Sequence, residues 1–176
     1  MRGAVHRQPL ERVGSPEGAA RAYAEEMEPL LSTLHIVSGV FIVGPMAILP
    51  MSAMRSIRAG EAGQVAALAK STNIFTLLSL LVVLFGFGAL DFRDNAPFAS
   101  TWVWLSIVLY ASALAISLFL VIPAMKSVSE LLAEQSASGS RVAGAKVAGY
   151  SRVAMGSGIA SLLLVAVVVL MVLKPA

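Results

Sequence analysis

Four long apolar runs dominate the pattern of hydrophobic and polar positions along this chain. They cover residues 30–54, 73–90, 101–122 and 153–173, and polar segments that carry the charged residues separate them. A helix needs about 20 apolar residues to cross a hydrocarbon core of about 30 Å, and each run reaches or nearly reaches that length. The pattern therefore predicts an all-α polytopic membrane protein, whose four-transmembrane-helix bundle occupies residues 30–175.

The composition supports the same class. Hydrophobic residues make up 57% of the chain and charged residues only 13%, whereas a soluble domain has roughly 25% charged residues. The formal net charge of +3 is what lysines and arginines in membrane loops usually supply, so it does not predict nucleic-acid binding. There is no cysteine, which excludes disulfides and thiolate chemistry.

The first 29 residues form a polar tail of mixed charge, rich in Gly and Pro. Low hydropathy predicts disorder here, and a short helix over residues 16–28 is the alternative. The tail lacks the apolar core of a secretory signal peptide. Translation from Met27 is an alternative start that this pattern allows.

The basic residues also predict the orientation in the membrane. Seven of them lie in the two loops that join spans 1 and 2 and spans 3 and 4: Arg55, Arg58, Lys70, Lys126, Arg141, Lys146 and Arg152. Because cytoplasmic loops are enriched in Lys and Arg, we expect these loops to be cytoplasmic, as in a bacterial inner membrane, and both termini extracytoplasmic. Trp102 and Trp104 then form an aromatic belt at the outer interface.

A possible internal repeat follows the odd-numbered spans. Ala-Met-basic-Ser-aliphatic occurs at residues 53–57 and again at residues 124–128, at an offset of 71 residues. Two spans per repeat keep both copies in one orientation, so the bundle would be a tandem repeat of two helical hairpins. Chance similarity between apolar segments is the alternative.

His35 is the first candidate for chemistry, because it is the only histidine in an apolar run. Ionisable groups inside spans are rare and often functional, and an imidazole can ligate haem or a metal or carry a proton. The alternative is a structural hydrogen bond to a neighbouring helix. A second candidate is the outer cluster of Asp91, Arg93 and Asp94, which could bind a cation or form a solvated ion pair.

Small residues in the spans predict close helix contacts, which in membranes form where side chains let backbones approach. Those expected to pack are Gly39, Gly44, Gly86, Gly88, Ala154 and Gly158. No carboxylate, lysine or arginine lies deep in a span, and no nucleotide, hydrolase or metalloprotease motif is present. The leading hypothesis is therefore a non-enzymatic membrane protein without a cofactor, an accessory or assembly subunit or a homo-oligomer in the lipid bilayer. The alternatives are a haem- or metal-binding redox protein that uses His35, and a small-solute transporter.

Leu34-His35-Ile36, Gly44, Leu49-Pro50 and the ending at residues 170–175 resemble a group of small bacterial four-helix membrane proteins. The group includes an uncharacterised integral membrane family, copper-resistance-D-like proteins and the HemJ-type protoporphyrinogen oxidases. The HemJ resemblance implies a haem-associated histidine at His35. This sequence departs from that type at Ile42, at Met51 and after Arg152, and it has no second intramembrane histidine. The uncharacterised family is the more similar one and implies no mechanism.

Overall fold

The computed structural model describes residues 16–91, 100–139 and 147–174, and every regular element in them is helical. The helices are α1 (Pro16–Ser38), α2 (Gly44–Ala59), α3 (Ala62–Asp91), α4 (Thr101–Ile116), α5 (Ile122–Ala137) and α6 (Tyr150–Leu173). A π-helical turn, Gly39–Val43, joins α1 to α2, and a second one, Ser117–Val121, joins α4 to α5.

These elements form four apolar helical runs that are long enough to cross a membrane. They cover Gly18–Ala59, Ala62–Leu90, Thr101–Ala137 and Tyr150–Leu173. The prediction of an all-α bundle with four transmembrane helices is confirmed.

The segment that precedes the first span is helical in the structure. The sequence pattern allowed a short helix over residues 16–28, and α1 begins at Pro16 and continues without a break into the span. This helix has two physical causes. Four alanines between Gly18 and Glu25 favour the helix, and a segment that extends an existing helix does not bear the cost of nucleation. Residues 1–15 lie outside the described part of the chain.

Each π turn ends two residues before a proline, Pro45 in the first span and Pro123 in the third. Proline lacks the N–H that would bond to the carbonyl four residues earlier, and its ring crowds that carbonyl. A π turn places one additional residue in the helix and shifts the hydrogen bonds to i→i+5. The helix therefore continues through the membrane despite the proline.

The π turns relate the two halves of the chain by 78 residues, not by the 71 of the sequence match. The segments are GVFIVGP from Gly39 and SLFLVIP from Ser117. Burial follows the offset of 71 instead, because the buried Met46, Pro50 and Ile57 then correspond to Ser117, Val121 and Val128, which are buried as well. The tandem repeat stays a prediction, since the helical discontinuities support an offset of 78 residues and burial supports one of 71.

The two halves form a first hairpin (α1 to α3) and a second hairpin (α4 to α6). At the loop end, where α2 meets α3, the connection is only two residues long. Gly60 adopts a left-handed φ of 75°, and its N–H donates to the Ile57 carbonyl while the N–H of Glu61 donates to the Ser56 carbonyl. These two bonds satisfy carbonyls at the end of α2, as in a Schellman motif.

Packing between the hairpins is concentrated at this loop end. There, α2 packs on α3 and α6, and α3 packs on α5. At the opposite end, where α3 ends and α4 begins, α1 packs on α3 and α4 packs on α6, but neither pair packs extensively on the other within the described residues. Within the described residues, the packing between the hairpins is therefore weaker toward the opposite end.

Candidate functional site

His35 lies in the half of the first span away from the loop end, where it connects α1 to α3. Its Nδ1 is 2.7 Å from the carbonyl oxygen of Val82. A carbonyl can only accept, so Nδ1 carries the proton that is donated. In the neutral ring, Nε2 is then the nitrogen with the lone pair.

Gly86 makes room for this imidazole. A Cβ at position 86 would lie 2.8 Å from Cε1 of His35 and 2.9 Å from its Nδ1. Any larger residue would therefore push the ring away from the Val82 carbonyl. Gly86 and the histidine form one structural unit, which the sequence analysis had treated as two separate features.

The other predicted packing residues differ in their surroundings. A Cβ on Gly88 would lie 3.2 Å from Cδ1 of Leu31, and one on Gly39 would lie 3.9 Å from Val82. A Cβ on Gly44 or Gly158 would have no neighbouring atom within 4 Å, so the structure places no close helix approach at these two positions. Ala154, the fifth residue of α6, is partly buried.

Gly156, which the sequence analysis did not select, is in closer contact with a neighbouring helix than Gly158. A Cβ on it would lie 2.8 Å from Cγ2 of Val121, in the second π turn. Small-residue spacing alone could not distinguish the two glycines, since both lie on the same helix two residues apart.

The predicted cluster of Asp91, Arg93 and Asp94 is only partly described. Asp91 is the last residue of α3, while its side chain and the whole of Arg93 and Asp94 lie outside the described residues. Trp102 and Trp104 lie in the first turn of α4, at the end of the bundle away from the loop end. Trp102 is half-buried and Trp104 is 59% exposed.

A second set of polar groups lies on the buried face of α3. Thr72, Thr76 and Ser79 are all fully buried. The Thr72 hydroxyl donates to the Leu68 carbonyl at 2.8 Å, while the hydroxyl of Thr76 has no hydrogen-bond partner in the described structure. Their spacing of four and three residues places them on one helix face, a signal that was visible in the sequence.

Ser79 connects this face to the second hairpin. Its Oγ is 2.6 Å from the Thr76 carbonyl oxygen and 2.6 Å from Oη of Tyr110 on α4. A further bond between the hairpins joins the Ser161 hydroxyl to the Ala47 carbonyl at 3.3 Å. At the loop end, Arg58 donates to the hydroxyl of Tyr150, and its guanidinium lies 5.3 Å from the centre of that ring.

Within the described residues, no three His, Cys, Asp or Glu side chains come together as a metal site would require. The chemistry that the geometry offers is therefore that of one imidazole with a fixed proton position and a small network of neutral hydroxyls.

Fold and span composition define the class: an integral membrane protein with four transmembrane helices that crosses the bilayer several times. Residues 29–175 match a family described as predicted integral membrane proteins (DUF2269), and since the match covers most of the chain, the protein belongs to that family. No curated protein and no solved structure matches it. The expected similarity to HemJ-type oxidases and copper-resistance-D-like proteins is not shown.

Proposed function

We propose that this protein is a non-enzymatic accessory or assembly subunit, or a homo-oligomer, that acts through the helical head at its loop end. The head comprises the parts of α2, α3, α5 and α6 that surround the loop-end cluster. None of the ten core residues of this cluster is more than 4% exposed: Ala53, Ile57, Val65, Ala69, Val121, Met125, Val128, Leu132, Val147 and Val153.

This cluster is the observation that carries the proposal. α3 has 30 residues and is about 45 Å long at 1.5 Å per residue, so it exceeds the hydrocarbon core by about 15 Å. The excess is at the loop end, because the apolar run of α3 begins only at residue 73. A tightly packed projection outside the lipid is a rigid surface on which another protein can dock.

The surface of α5 at the head offers a direct test. Glu130 and Glu134 are exposed and one helical turn apart. We expect the full chain, extracted in mild detergent, to form an assembly whose protein mass, with the bound detergent subtracted, exceeds the 18.4 kDa of the monomer. The Glu130→Lys/Glu134→Lys double variant should lose that assembly, as measured by light scattering after size exclusion.

Leu162→Ala is the matched control, because Leu162 is 72% exposed on α6 within the apolar span. It should leave the assembly unchanged. A monomer in the wild type, under conditions that preserve the helical circular dichroism, would contradict the proposal.

A second candidate function, a haem- or metal-binding redox protein, is supported by the geometry of His35. Metal-ligating histidines usually donate their other ring N–H to a carbonyl or carboxylate, which fixes the tautomer. The bond from Nδ1 to the Val82 carbonyl is such an arrangement and leaves Nε2 as the ligand atom. His35 would hold the iron of a bound haem through this nitrogen, and the haem would supply the redox chemistry.

An absorption spectrum and metal analysis of the purified protein test this second candidate. A Soret band that is lost in His35→Ala would support it. His35→Ala also removes the hydrogen bond to Val82 and so changes the contact between α1 and α3. Gly88→Ala is the control for such a structural change, because it alters the same helix pair without touching His35. Its absorption spectrum should be recorded beside that of His35→Ala. A colourless, metal-free wild type after haem supplementation would exclude a haem site at His35.

For the orientation, we propose that the head is cytoplasmic and both termini are extracytoplasmic. The support is the concentration of seven lysines and arginines in the two loop-end segments. Labelling of single cysteines from each side of intact cells tests it, because the natural chain contains none. A cysteine at Glu61 that reacts with an impermeant reagent outside the cell would contradict this orientation.

A further inference from the structure

Charged side chains at the loop end are sorted by their distance from the apolar runs. At 1.5 Å per residue, the five described cations lie within about 6 Å of the end of a run: Arg55, Arg58, Lys70, Lys126 and Arg152. The described glutamates lie about 10 Å or more beyond it: Glu61, Glu130 and Glu134. The headgroup layer on each side of the hydrocarbon core is about 5–7 Å thick. Of the charged residues described at this end, only the cations therefore lie at the depth of the lipid headgroups.

The segment of residues 140–146 lies outside the described part of the chain, but its sequence adds to the same charge. It contains Arg141 and Lys146 and no Asp or Glu. It therefore cannot neutralise the cations at headgroup depth.

Two of these cations share one face of α2. Arg55 and Arg58 are both exposed, and their spacing of three residues places them on one side of the helix. The same face continues into the apolar run with Met51, which is 45% exposed, and Ile48, which is 61% exposed. We call these four residues the α2 face. It has two apolar side chains at the depth of the hydrocarbon core and two guanidinium groups at the depth of the headgroups.

Arg58 is held in position by the second hairpin. Its guanidinium donates to the hydroxyl of Tyr150 on α6 and lies 5.3 Å from the centre of that ring. A guanidinium has five N–H donors, so the bond to Tyr150 leaves others for a ligand. Because the side chain is already ordered, binding through it costs less conformational entropy.

The single cations on the neighbouring helices are less suited to one ligand. Lys126 on α5 has Glu130 one turn away on the same helix, a spacing at which opposite charges attract each other. Lys70 is the only cation described on α3 at this depth. A lysine also presents a point charge, whereas the planar fork of an arginine matches two phosphate oxygens.

We propose that the α2 face binds an anionic phospholipid of the bilayer. Its phosphate accepts hydrogen bonds from Arg55 and Arg58, and one acyl chain lies along Met51 and Ile48. A zwitterionic phospholipid has the same phosphate, but the cation in its headgroup is repelled by the two arginines. The site therefore selects for the net negative charge of the headgroup. This inference is independent of the function proposed for the head, which concerns other proteins and the exposed glutamates of α5.

The test uses the full chain in phosphatidylcholine nanodiscs and two photoreactive lipids that carry the same reactive acyl chain. One has a phosphatidylglycerol headgroup and the other a phosphatidylcholine headgroup. We expect saturable labelling of α2 peptides by the anionic probe. The zwitterionic probe should label at least about fivefold less, because one basic residue near the surface strengthens the binding of an anionic lipid by about that factor.

Two double variants separate this site from general attraction by positive charge. Arg55→Gln/Arg58→Gln should reduce labelling by the anionic probe to the level of the zwitterionic one. Lys70→Gln/Lys126→Gln is the matched control, since it removes the same charge at the same depth from α3 and α5; it should leave the preference for the anionic probe in place.

Equal labelling of the wild type by both probes would overturn the proposal, and so would an equal loss of labelling in the two double variants. Excess glycerol phosphate in solution should not displace the anionic probe; displacement would identify a site for free phosphate and contradict a lipid site. Should the arginine double variant fail to fold, Arg55→Gln alone decides, because it leaves the contact between Arg58 and Tyr150 in place. Unchanged labelling of Arg55→Gln would then contradict the proposal.

Discussion

Substituting Gly86 by alanine tests the contact between the first span and α3. The added Cβ would lie 2.8 Å from Cε1 and 2.9 Å from Nδ1 of His35, distances at which one of the two groups must move. The imidazole can yield only by leaving the Val82 carbonyl. Inserting a methyl group into a packed site costs about 1–3 kcal/mol, and the lost hydrogen bond costs about 0.5–1.5 kcal/mol.

Alanine also favours the helix over glycine by about 1 kcal/mol, which offsets part of this loss. We therefore expect Gly86→Ala to lower the free energy of unfolding by about 0.5–3.5 kcal/mol. Equilibrium unfolding of the detergent-solubilised protein in increasing SDS, followed by circular dichroism, measures it. Gly158→Ala is the control: it is a helical glycine with no atom within 4 Å of the added carbon, so it should stabilise slightly.

A double-mutant cycle makes the reasoning refutable. With His35→Ala in the background, the methyl group at position 86 meets no imidazole, and Gly86→Ala should stabilise by about 1 kcal/mol through its helix propensity. The coupling energy should then reach at least about 1.5 kcal/mol. The same loss of stability in both backgrounds would show that the methyl group clashes with something other than His35.

Three further predictions concern stability in the same unfolding assay. Thr76→Val should be neutral or stabilise the protein by about 1 kcal/mol, because it removes a buried hydroxyl without a partner at almost constant volume. Ser79→Ala should instead destabilise it by about 1–3 kcal/mol. If Thr76→Val were the more destabilising of the two, the hydrogen-bond assignment would be contradicted. Gly60→Ala should cost about 1 kcal/mol because of the left-handed φ of 75°, whereas Gly63→Ala, in open space on α3, should not. Gly156→Ala should cost about 1–3 kcal/mol through its contact with the second π turn, and a stabilising effect would disprove that contact.

Fold class and span number were predictable from the sequence because both depend on the length and polarity of continuous segments. Apolar runs alone determined the four helices, and no contact between distant residues was needed for that inference. Low hydropathy alone could not predict that α1 extends through residues 16–29, since it indicates disorder only when no adjacent helix provides a nucleus.

The candidate site was predictable only in part. His35 could be recognised as an unusual residue, but its partners could not, because the carbonyl of Val82 has no signature in the sequence. The link between Ser79 and Tyr110 depends on the angle at which the two hairpins meet. Helical periodicity gives the face of each residue on its own helix, and it contains no information on that angle.

The π turns have a consequence for how this chain can change over evolutionary time. Each one holds a surplus residue, so the upstream and downstream parts of a span differ in angular phase by about 100° from a continuous α-helix. Deleting one residue within Gly39–Val43 would restore ordinary helix geometry and turn α2, with its buried Ala53 and Ile57, away from the loop-end cluster. Deletion of a single residue in these short segments can thus change which face of a span is buried, while the mean hydropathy of the span stays almost the same.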